Sequence, residues 1–247
     1  MARPRLLLAS SNPGKLRELR AILRDLPVEL VGLDEAAAGG GAGGSPPEVA
    51  ETGATFLENA LLKARAYAAW SGLAALADDS GLEVDALGGA PGVRSARYAG
   101  EGAGDQANLD KLLRELAGVP PERRTARFRC AAVLVDPAWG SGGLNPSPPV
   151  DQRSGGLKPS PPEQWGEWHA DGTWEGRLLE APRGSGGFGY DPVFVPDGWD
   201  RTSAEVDQAT KDAASHRGRA FRALRPAIEA WAAARAASPA QGGASPR

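Results

Sequence analysis

Short apolar runs alternate with helical patterns along this chain. The run Arg5–Ala9 (RLLLA) is typical of a buried strand, and leucines at helical spacing then predict a helix over residues 15–24. A second strand is predicted over residues 28–33, before the glycine-rich segment 39–45 breaks regular structure. The chain therefore opens with a strand, a tight turn and a helix.

The next part of the chain repeats this alternation. Thr55 and Glu58 have the spacing of a capping box, which predicts a helix that begins at Thr55. The run Leu73–Ala77 (LAALA) predicts a further strand, and residues 78–81 (DDSG) have the composition of a turn that ends it. Such a strand would deliver two carboxylates to a loop.

The second half of the chain carries the clearest strand pattern. An amphipathic helix is predicted over residues 105–116, and the strand follows over residues 127–136. The Trp-rich segment with Trp165, Trp168 and Trp174 is expected to form a strand pair, and a last helix is expected to bend near Pro226. Strands that alternate with helices indicate an α/β protein.

Residues 140–162 interrupt the pattern. They are rich in Pro, Gly and Ser, which predicts a mobile insertion, and the tail 238–247 is expected to be disordered. Residues 1–237 are therefore expected to form a single α/β domain that contains this insertion.

Composition narrows the classes of function. The 28 Lys and Arg against 31 Asp and Glu give a net charge of -3, which argues against a broad basic surface for nucleic acid. A single Cys130 excludes a disulfide framework, and two histidines make a zinc site unfavourable, so a required metal would be magnesium on oxygen ligands. No apolar run approaches the ~20 residues of a membrane span, and no signal peptide is evident. We expect a cytoplasmic protein without a membrane or nucleic-acid partner.

The segment between the first strand and the first helix has the features of an anion site. Pro13 suits the first helical position and Asn12 suits the cap, so free N–H groups and the helix dipole point into the turn. Lys15 adds a charge, although an ordinary strand-to-helix turn has a similar composition. The spacing of a Walker loop occurs nowhere.

Two adjacent carboxylates, Asp78 and Asp79, and Glu51 upstream are candidates for hydrolytic chemistry. Phosphoanhydride hydrolysis needs a divalent cation and a carboxylate that activates water. Adjacent residues of an extended chain point to opposite sides, so one aspartate is expected to face the substrate while the other supports the loop. A turn without a catalytic role is the alternative.

Two further segments could recognise a base. Phe188, among the glycines of residues 186–192 (GGFGYDP), offers a surface for a purine, and such stacking contributes about 1–3 kcal/mol. Lys211 and residues 215–218 (SHRG) supply cationic donors that fit a 6-oxo group and reject the 6-amino group of adenine. A glycine-rich hairpin and surface cations are the alternatives.

These four segments closely resemble, in their order along the chain, motifs of the ITPase family of inosine and xanthosine triphosphate pyrophosphatases. Two further segments carry the same resemblance: residues 51–60 (ETGATFLENA) and 88–98 (GGAPGVRSARY). The resemblance covers nearly the whole chain except the insertion and the tail. It implies a long mixed β-sheet with helices that form two lobes around a central substrate cleft, and a homodimer. It also implies magnesium-dependent hydrolysis of ITP, dITP or XTP to the monophosphate and pyrophosphate, by attack at the α-phosphorus.

The resemblance assigns roles to individual residues. Asp79 would accept the proton of the attacking water, and Glu51 would join Asp79 in holding magnesium. The substrate-binding residues would be Ser10, Ser11, Asn12, Pro13, Gly14, Lys15, Ser80, Phe188, Gly189, Tyr190, Asp191, Lys211, His216 and Arg217.

Two other functions compete with this one. A pyrophosphatase of the Maf type would cleave the same bond with another base preference, but the SHR and GFGYD segments argue against it. A nucleotide-binding regulator without turnover would lack the carboxylates, yet Asp79 and Glu51 are present. The insertion 140–162 departs from the family pattern and is expected to spare catalysis, although it could alter dimer contacts or access to the cleft.

Overall fold

A mixed sheet of six strands organises the protein in a computed structural model, which describes residues 3–39, 44–138 and 166–237. The strands are β1 (Arg5–Leu8), β2 (Glu29–Val31), β3 (Ala74–Val84), β4 (Thr125–Asp136), β5 (Gly166–Leu178) and β6 (Phe194–Pro196). Their order across the sheet is β2-β1-β3-β4-β5-β6. Strand β1 lies parallel to β2 and β3, whereas β3 to β6 pair antiparallel. The α/β class and the mixed sheet are confirmed.

Several helices begin where local sequence signals predict, whereas two short helices, over residues 33–38 and 208–214, were not predicted. They are α1 (Pro13–Ile22), α2 (Leu33–Ala38), α3 (Phe56–Ser71), α4 (Asp105–Glu115), α5 (Gln208–Ala214) and α6 (His216–Ala237). The Asn12 side chain caps α1, with Pro13 in its first turn. Thr55 and Glu58 form the predicted capping box of α3, and Gly72 ends that helix with φ 69°. No helix in the described residues is long and apolar enough to cross a membrane.

The prediction that residues 78–81 form a turn is wrong. These residues continue β3, and Asp79 lies opposite Ala131 of β4. This segment pairs with the apolar strand β4, and the pairing gives its backbone N–H and C=O groups hydrogen-bond partners. That gain outweighs the turn-like composition of the segment. Gly81 is required at this point, since a Cβ atom there would lie 2.4 Å from the main-chain oxygen of Gly92.

One other prediction needs correction in the second half of the chain. The Trp-rich segment forms one strand, β5, rather than a strand pair, because it pairs with β4 from Gly166 to Arg177. Lys211 lies on a separate short helix, α5. Pro226 lies inside α6, and the expected bend near it stays a prediction. Residues 140–162, Trp165 and the tail 238–247 lie outside the described residues.

The hydrophobic core lies on both faces of the sheet and at its far end. One cluster packs β1, β3 and β4 against α1 and α6, and another packs the opposite face against α3. A third joins the far ends of β3 to β5 with α4 and β6, around Leu82, Leu112, Phe128, Trp174 and Phe194. The polar middle of β3 lies between these groups, so the fold has two lobes with a cleft between them.

Candidate active site

A cavity of about 710 Å³ opens between the two lobes. Residues from the start of α1, the middle of β3, the 186–192 loop and the α5–α6 junction line it together. Pro13 and Gly14 are the predicted site residues that do not line it. The predicted residues that do are Ser10, Ser11, Asn12, Lys15, Glu51, Asp79, Ser80, Phe188, Gly189, Tyr190, Asp191, Lys211, His216 and Arg217.

The turn before α1 presents polar groups at the positive end of the helix. The main-chain N–H of Asn12 donates to Ser10 Oγ at 3.2 Å, and that of Lys15 donates to Asn12 Oδ1 at 3.0 Å. Lys15 Nζ lies 3.2 Å from Asp78 Oδ2. The turn therefore combines a helix N-terminus with a cation, which suits an anionic ligand.

Asp78 and Asp79 point to opposite faces of β3, as the extended chain predicts. On one face, Arg217 donates from Nε and Nη2 to Asp78 Oδ2, each at 3.2 Å. On the other face, Asn59 Nδ2 and Lys63 Nζ each lie 3.2 Å from a carboxylate oxygen of Asp79. Each aspartate therefore has its own set of partners on different helices.

The two environments shift the two pKa values in opposite directions. Burial raises the pKa of Asp79 above its ordinary value, and the charges of Lys63 and Lys15 offset only part of this effect. Burial also acts to raise the pKa of Asp78, but Lys15 and Arg217 outweigh it and hold that pKa far below its ordinary value. Asp78 is thus a permanent anion of the structure, whereas Asp79 is the carboxylate suited to take up a proton.

The part of the cavity beside Phe188 contains two buried cations, Lys211 and Arg217. Lys211 Nζ lies 4.9 Å from the centre of the Phe188 ring, and Arg217 Cζ lies 5.9 Å from it. Glu18 Oε1 accepts from Lys211 Nζ at 2.9 Å, and Glu18 Oε2 accepts from Arg217. Glu18 thereby fixes both cations relative to α1, the helix that follows the turn at residues 10–12.

His216 is a neutral group in this part of the cavity. Its ring stacks on Phe128 with 4.8 Å between the centroids, and the side chain is almost completely buried. Burial, with the charges of Arg217 and Lys211, holds the pKa of His216 well below its ordinary value. Its Nδ1 atom has no hydrogen-bond partner in the described part of the chain. The neutral imidazole therefore keeps one buried nitrogen atom without a partner among the described residues.

Asp191 and Tyr190 are engaged by the protein itself. Asp191 accepts from Lys211 Nζ at 2.6 Å, from Ser203 Oγ at 2.8 Å and from the Phe188 main-chain N–H at 2.8 Å. The Tyr190 hydroxyl donates to the main-chain oxygen of Ser95 at 2.8 Å. These contacts hold the 186–192 loop in place, while direct contact of either residue with a base or sugar stays a prediction.

Sequence comparison identifies the family to which the chain belongs. The sequence pattern of the Ham1 family matches residues 6–146 and 159–227. The chain belongs to the Ham1 family. The match skips residues 147–158, which lie within the segment 140–162 that the sequence analysis expects to be an insertion.

Relatives of this Ham1-family chain cover nearly its whole length. It is 48% identical over 226 residues to the dITP/XTP pyrophosphatase of Streptomyces coelicolor, a match that covers 91% of this chain and 96% of the relative. The crystal structure of the nucleoside-triphosphatase and dITP/XTP pyrophosphatase from Mycobacterium abscessus matches with a TM-score of 0.62 and 44% identity, over 90% and 99% of the two chains. A HAM1 protein from Coxiella burnetii matches with a TM-score of 0.69 and 37% identity, over 91% and 98%. The resemblance drawn from the motifs is confirmed.

Lys63 lines the cavity but was not among the site residues predicted from the sequence. Its Nζ atom lies 2.7 Å from Glu51 Oε1 and 3.2 Å from Asp79 Oδ1, so it joins the two carboxylates. Burial lowers the pKa of Lys63, but the carboxylates raise it by more and keep the ammonium charged. Asn59 and Lys63 are four residues apart and thus share one face of α3, a spacing that could have indicated them.

Nucleotide pyrophosphatases of this family generally need a divalent metal. The carboxylates of Glu51 and Asp79 hold the Lys63 ammonium between them, so a positive charge is stable at this position. The described residues contain no group of three or more His, Cys, Asp and Glu side chains that could hold a metal. Magnesium is commonly held by one or two carboxylates together with water and substrate phosphates, so these two residues fit a metal that binds with the nucleotide.

Proposed function

We propose that this chain is a magnesium-dependent nucleoside triphosphate pyrophosphatase that hydrolyses non-standard purine nucleotides, ITP, dITP and XTP, to the monophosphate and pyrophosphate. One observation carries the proposal: a single cavity joins the dipole-charged turn at Asn12, the carboxylate of Asp79 and the cation pair of Lys211 and Arg217. The dITP/XTP pyrophosphatase named among the relatives supports the same activity. The reaction would remove deaminated purines from the nucleotide pool.

The phosphate end would be held by the turn before α1. The hydroxyls of Ser10 and Ser11 would donate to phosphate oxygens at the positive end of the helix dipole, and Lys15 would supply a charge. Pro13 and Gly14 contribute through the backbone, since Pro13 starts the helix and Gly14 lies against Phe188. Lys63, from α3, supplies a second cation on the other side of the cleft.

Asp79 would act as the proton acceptor for the attacking water. The water oxygen bonds to the α-phosphorus, its proton passes to the Asp79 carboxylate, and the bridging oxygen leaves with pyrophosphate. Asn59 Nδ2, at 3.2 Å, fixes the orientation of this carboxylate. Glu51 and Asp79 would hold magnesium, which supplies positive charge to the phosphates when bound.

The buried side chains of Lys211 and Arg217 would determine which purine base binds. Lys211 and Arg217 are both less than 5% exposed, so a 6-oxo group gives them an acceptor, whereas the 6-amino group of adenine offers only another donor. The neutral His216 adds a nitrogen that can donate or accept. Phe188 and Gly189 would cover the base, and Ser80 would contact the substrate beside Asp79.

Other expectations belong to the same proposal. The resemblance to the family supports a homodimer and a cytoplasmic location. The match over residues 6–146 and 159–227 supports one ITPase-like domain with an insertion, followed by a tail.

Pyrophosphate release from ITP, XTP, GTP and ATP, each with and without magnesium, tests the function. We expect rapid release from ITP and XTP with magnesium, slow release from ATP, and little without the metal. GTP, whose base also has a 6-oxo group, tests whether the site reads the 2-position of the purine as well. A preference for ATP or for pyrimidine nucleotides would contradict the base assignment. Tight ITP binding without release would indicate a regulator instead.

A further inference from the structure

The segment 88–98 (GGAPGVRSARY) has no role in the function described so far, yet it reaches the carboxylate of Glu51. A 3₁₀ turn, Gly92–Arg97, carries Arg97 to that residue. Arg97 Nη1 lies 3.4 Å from Glu51 Oε2, and Arg97 Nη2 donates to the main-chain oxygen of Glu51 at 3.1 Å. One guanidinium therefore holds both the side chain and the backbone of Glu51.

The turn that carries Arg97 is itself fixed to the centre of the sheet. Ser95 Oγ accepts from the main-chain N–H of Leu82 at 2.9 Å and donates to the Gly92 oxygen at 2.7 Å. Asn108 Nδ2 donates to the Ala96 oxygen at 3.0 Å. Arg97 is thus held relative to β3, the strand that carries Asp79.

Lys63 and Arg97 approach different oxygens of Glu51. Lys63 contacts Oε1 and also Asp79, so its ammonium takes the position between the two carboxylates. Arg97 contacts Oε2, and it does not line the cavity. A cation that binds between Glu51 and Asp79 must displace the Lys63 ammonium but leaves the Arg97 contact intact.

We propose that Arg97 is a positioning residue for the metal, which holds Glu51 in its ligating orientation after the Lys63 ammonium has moved away. This inference rests on the proposed role of Glu51 as a metal ligand. Partners that orient a ligating carboxylate typically change metal affinity by about 10- to 100-fold when removed. A bidentate guanidinium suits this task better than an ammonium, because its fork reaches two acceptors at once.

Metal binding to the full-length protein tests the proposal directly. Mn²⁺ is titrated in the presence of a non-hydrolysable ITP analogue, and free Mn²⁺ is followed by electron paramagnetic resonance. We expect Arg97→Gln to weaken Mn²⁺ binding about tenfold and Arg97→Lys to weaken it less. Binding of the analogue without metal should change less than about twofold, because Arg97 lies outside the cavity.

Two matched variants separate this effect from a general loss of charge. Glu101→Gln removes the other carboxylate of Arg97, which lies 3.4 Å from Nε and is 88% exposed. Arg94→Gln changes an exposed arginine on the same turn that forms no ion pair with any described residue. Both variants should bind Mn²⁺ like the wild type.

The outcomes distinguish the inference from the function on which it rests. If Glu51→Gln binds Mn²⁺ weakly while Arg97→Gln binds it normally, the role of Arg97 is overturned and the proposed function stands. If Glu51→Gln itself binds Mn²⁺ normally, the metal assignment of Glu51 fails, and the inference fails with it. Circular dichroism checks that each variant is folded. If Arg97→Gln is not folded, the milder Arg97→Lys decides the question by the same titration.

Discussion

Lys15 Nζ lies 3.2 Å from Asp78 Oδ2, an ion pair that joins the start of α1 to the middle of β3. Asp79 is the next residue of that strand, and it lines the same cavity as Lys15. The ion pair therefore holds the turn that would bind the phosphates beside the strand that carries Asp79. We expect a single bound triphosphate to reach both.

Asp79→Asn should remove most turnover while nucleotide binding is retained. The amide cannot accept the proton of water, and loss of a general base typically slows a reaction by about 10²- to 10⁴-fold. The comparison is between kcat for ITP and the calorimetric Kd of a non-hydrolysable ITP analogue. Asp34→Asn, at an exposed position that lines the same cavity, is the control and should be nearly as active as the wild type. Normal turnover in Asp79→Asn would exclude this residue as the base.

The acidic limb of the pH profile should report the pKa of Asp79. Because burial raises this pKa, activity should fall as the pH drops through it and protonates the carboxylate. Lys63 lowers the pKa of Asp79, so Lys63→Met should move the acidic limb of kcat/KM to higher pH. Lys63→Arg keeps the charge and should leave the limb close to its original position. An unchanged limb in Lys63→Met would show that another group controls it.

Asp78→Asn should destabilise the fold at neutral pH. It leaves the buried Arg217 and the partly buried Lys15 without their shared anion, and breaking a buried pair typically costs about 3–5 kcal/mol. The pKa of Asp78 is lowered in the folded protein, so its contribution is present above the unfolded value of about 3.9 and is lost as the pH falls below it. The difference in the free energy of unfolding between wild type and variant should therefore be about 1 kcal/mol smaller at pH 3 than at pH 7. Urea denaturation at the two pH values measures it, and a difference that grew in acid would contradict the assignment.

Deletion of residues 140–162 should spare turnover. Strands β4 and β5 remain paired as far as Asp136 and Gly166, so residues 137–139 and 163–165 are left to join them. The comparison is kcat/KM for ITP in the deletion and in the full chain, together with the molecular mass by light scattering. A folded but inactive deletion would show that the insertion shapes the cleft.

Local signals in the sequence were sufficient for the starts of α1 and α3. The Asn12 cap and the Thr55–Glu58 box depend on residues within one turn, so composition and spacing reveal them. The course of β3 through residues 78–81 depends on its pairing with β4, which lies about 50 residues further along the chain. No local pattern contains that information.

The same distinction applies to the candidate site. The motifs indicated Lys15, Asp79 and Arg217. The contacts that place such residues join distant parts of the chain, as in the ion pair of Arg217 with Asp78. Lys63 lies beside the apolar stripe of α3 and looks like a solvated lysine until the fold places Asp79 next to it. Its role depends on tertiary packing, which the sequence alone does not display.

The position of water attack tests the central claim most directly. The purified enzyme hydrolyses ITP in ¹⁸O-labelled water with magnesium, and the products are analysed by mass spectrometry. Attack at the α-phosphorus, on the side of Asp79, predicts one ¹⁸O atom in the inosine monophosphate and none in the pyrophosphate. Label in the pyrophosphate, or release of labelled orthophosphate, would contradict it.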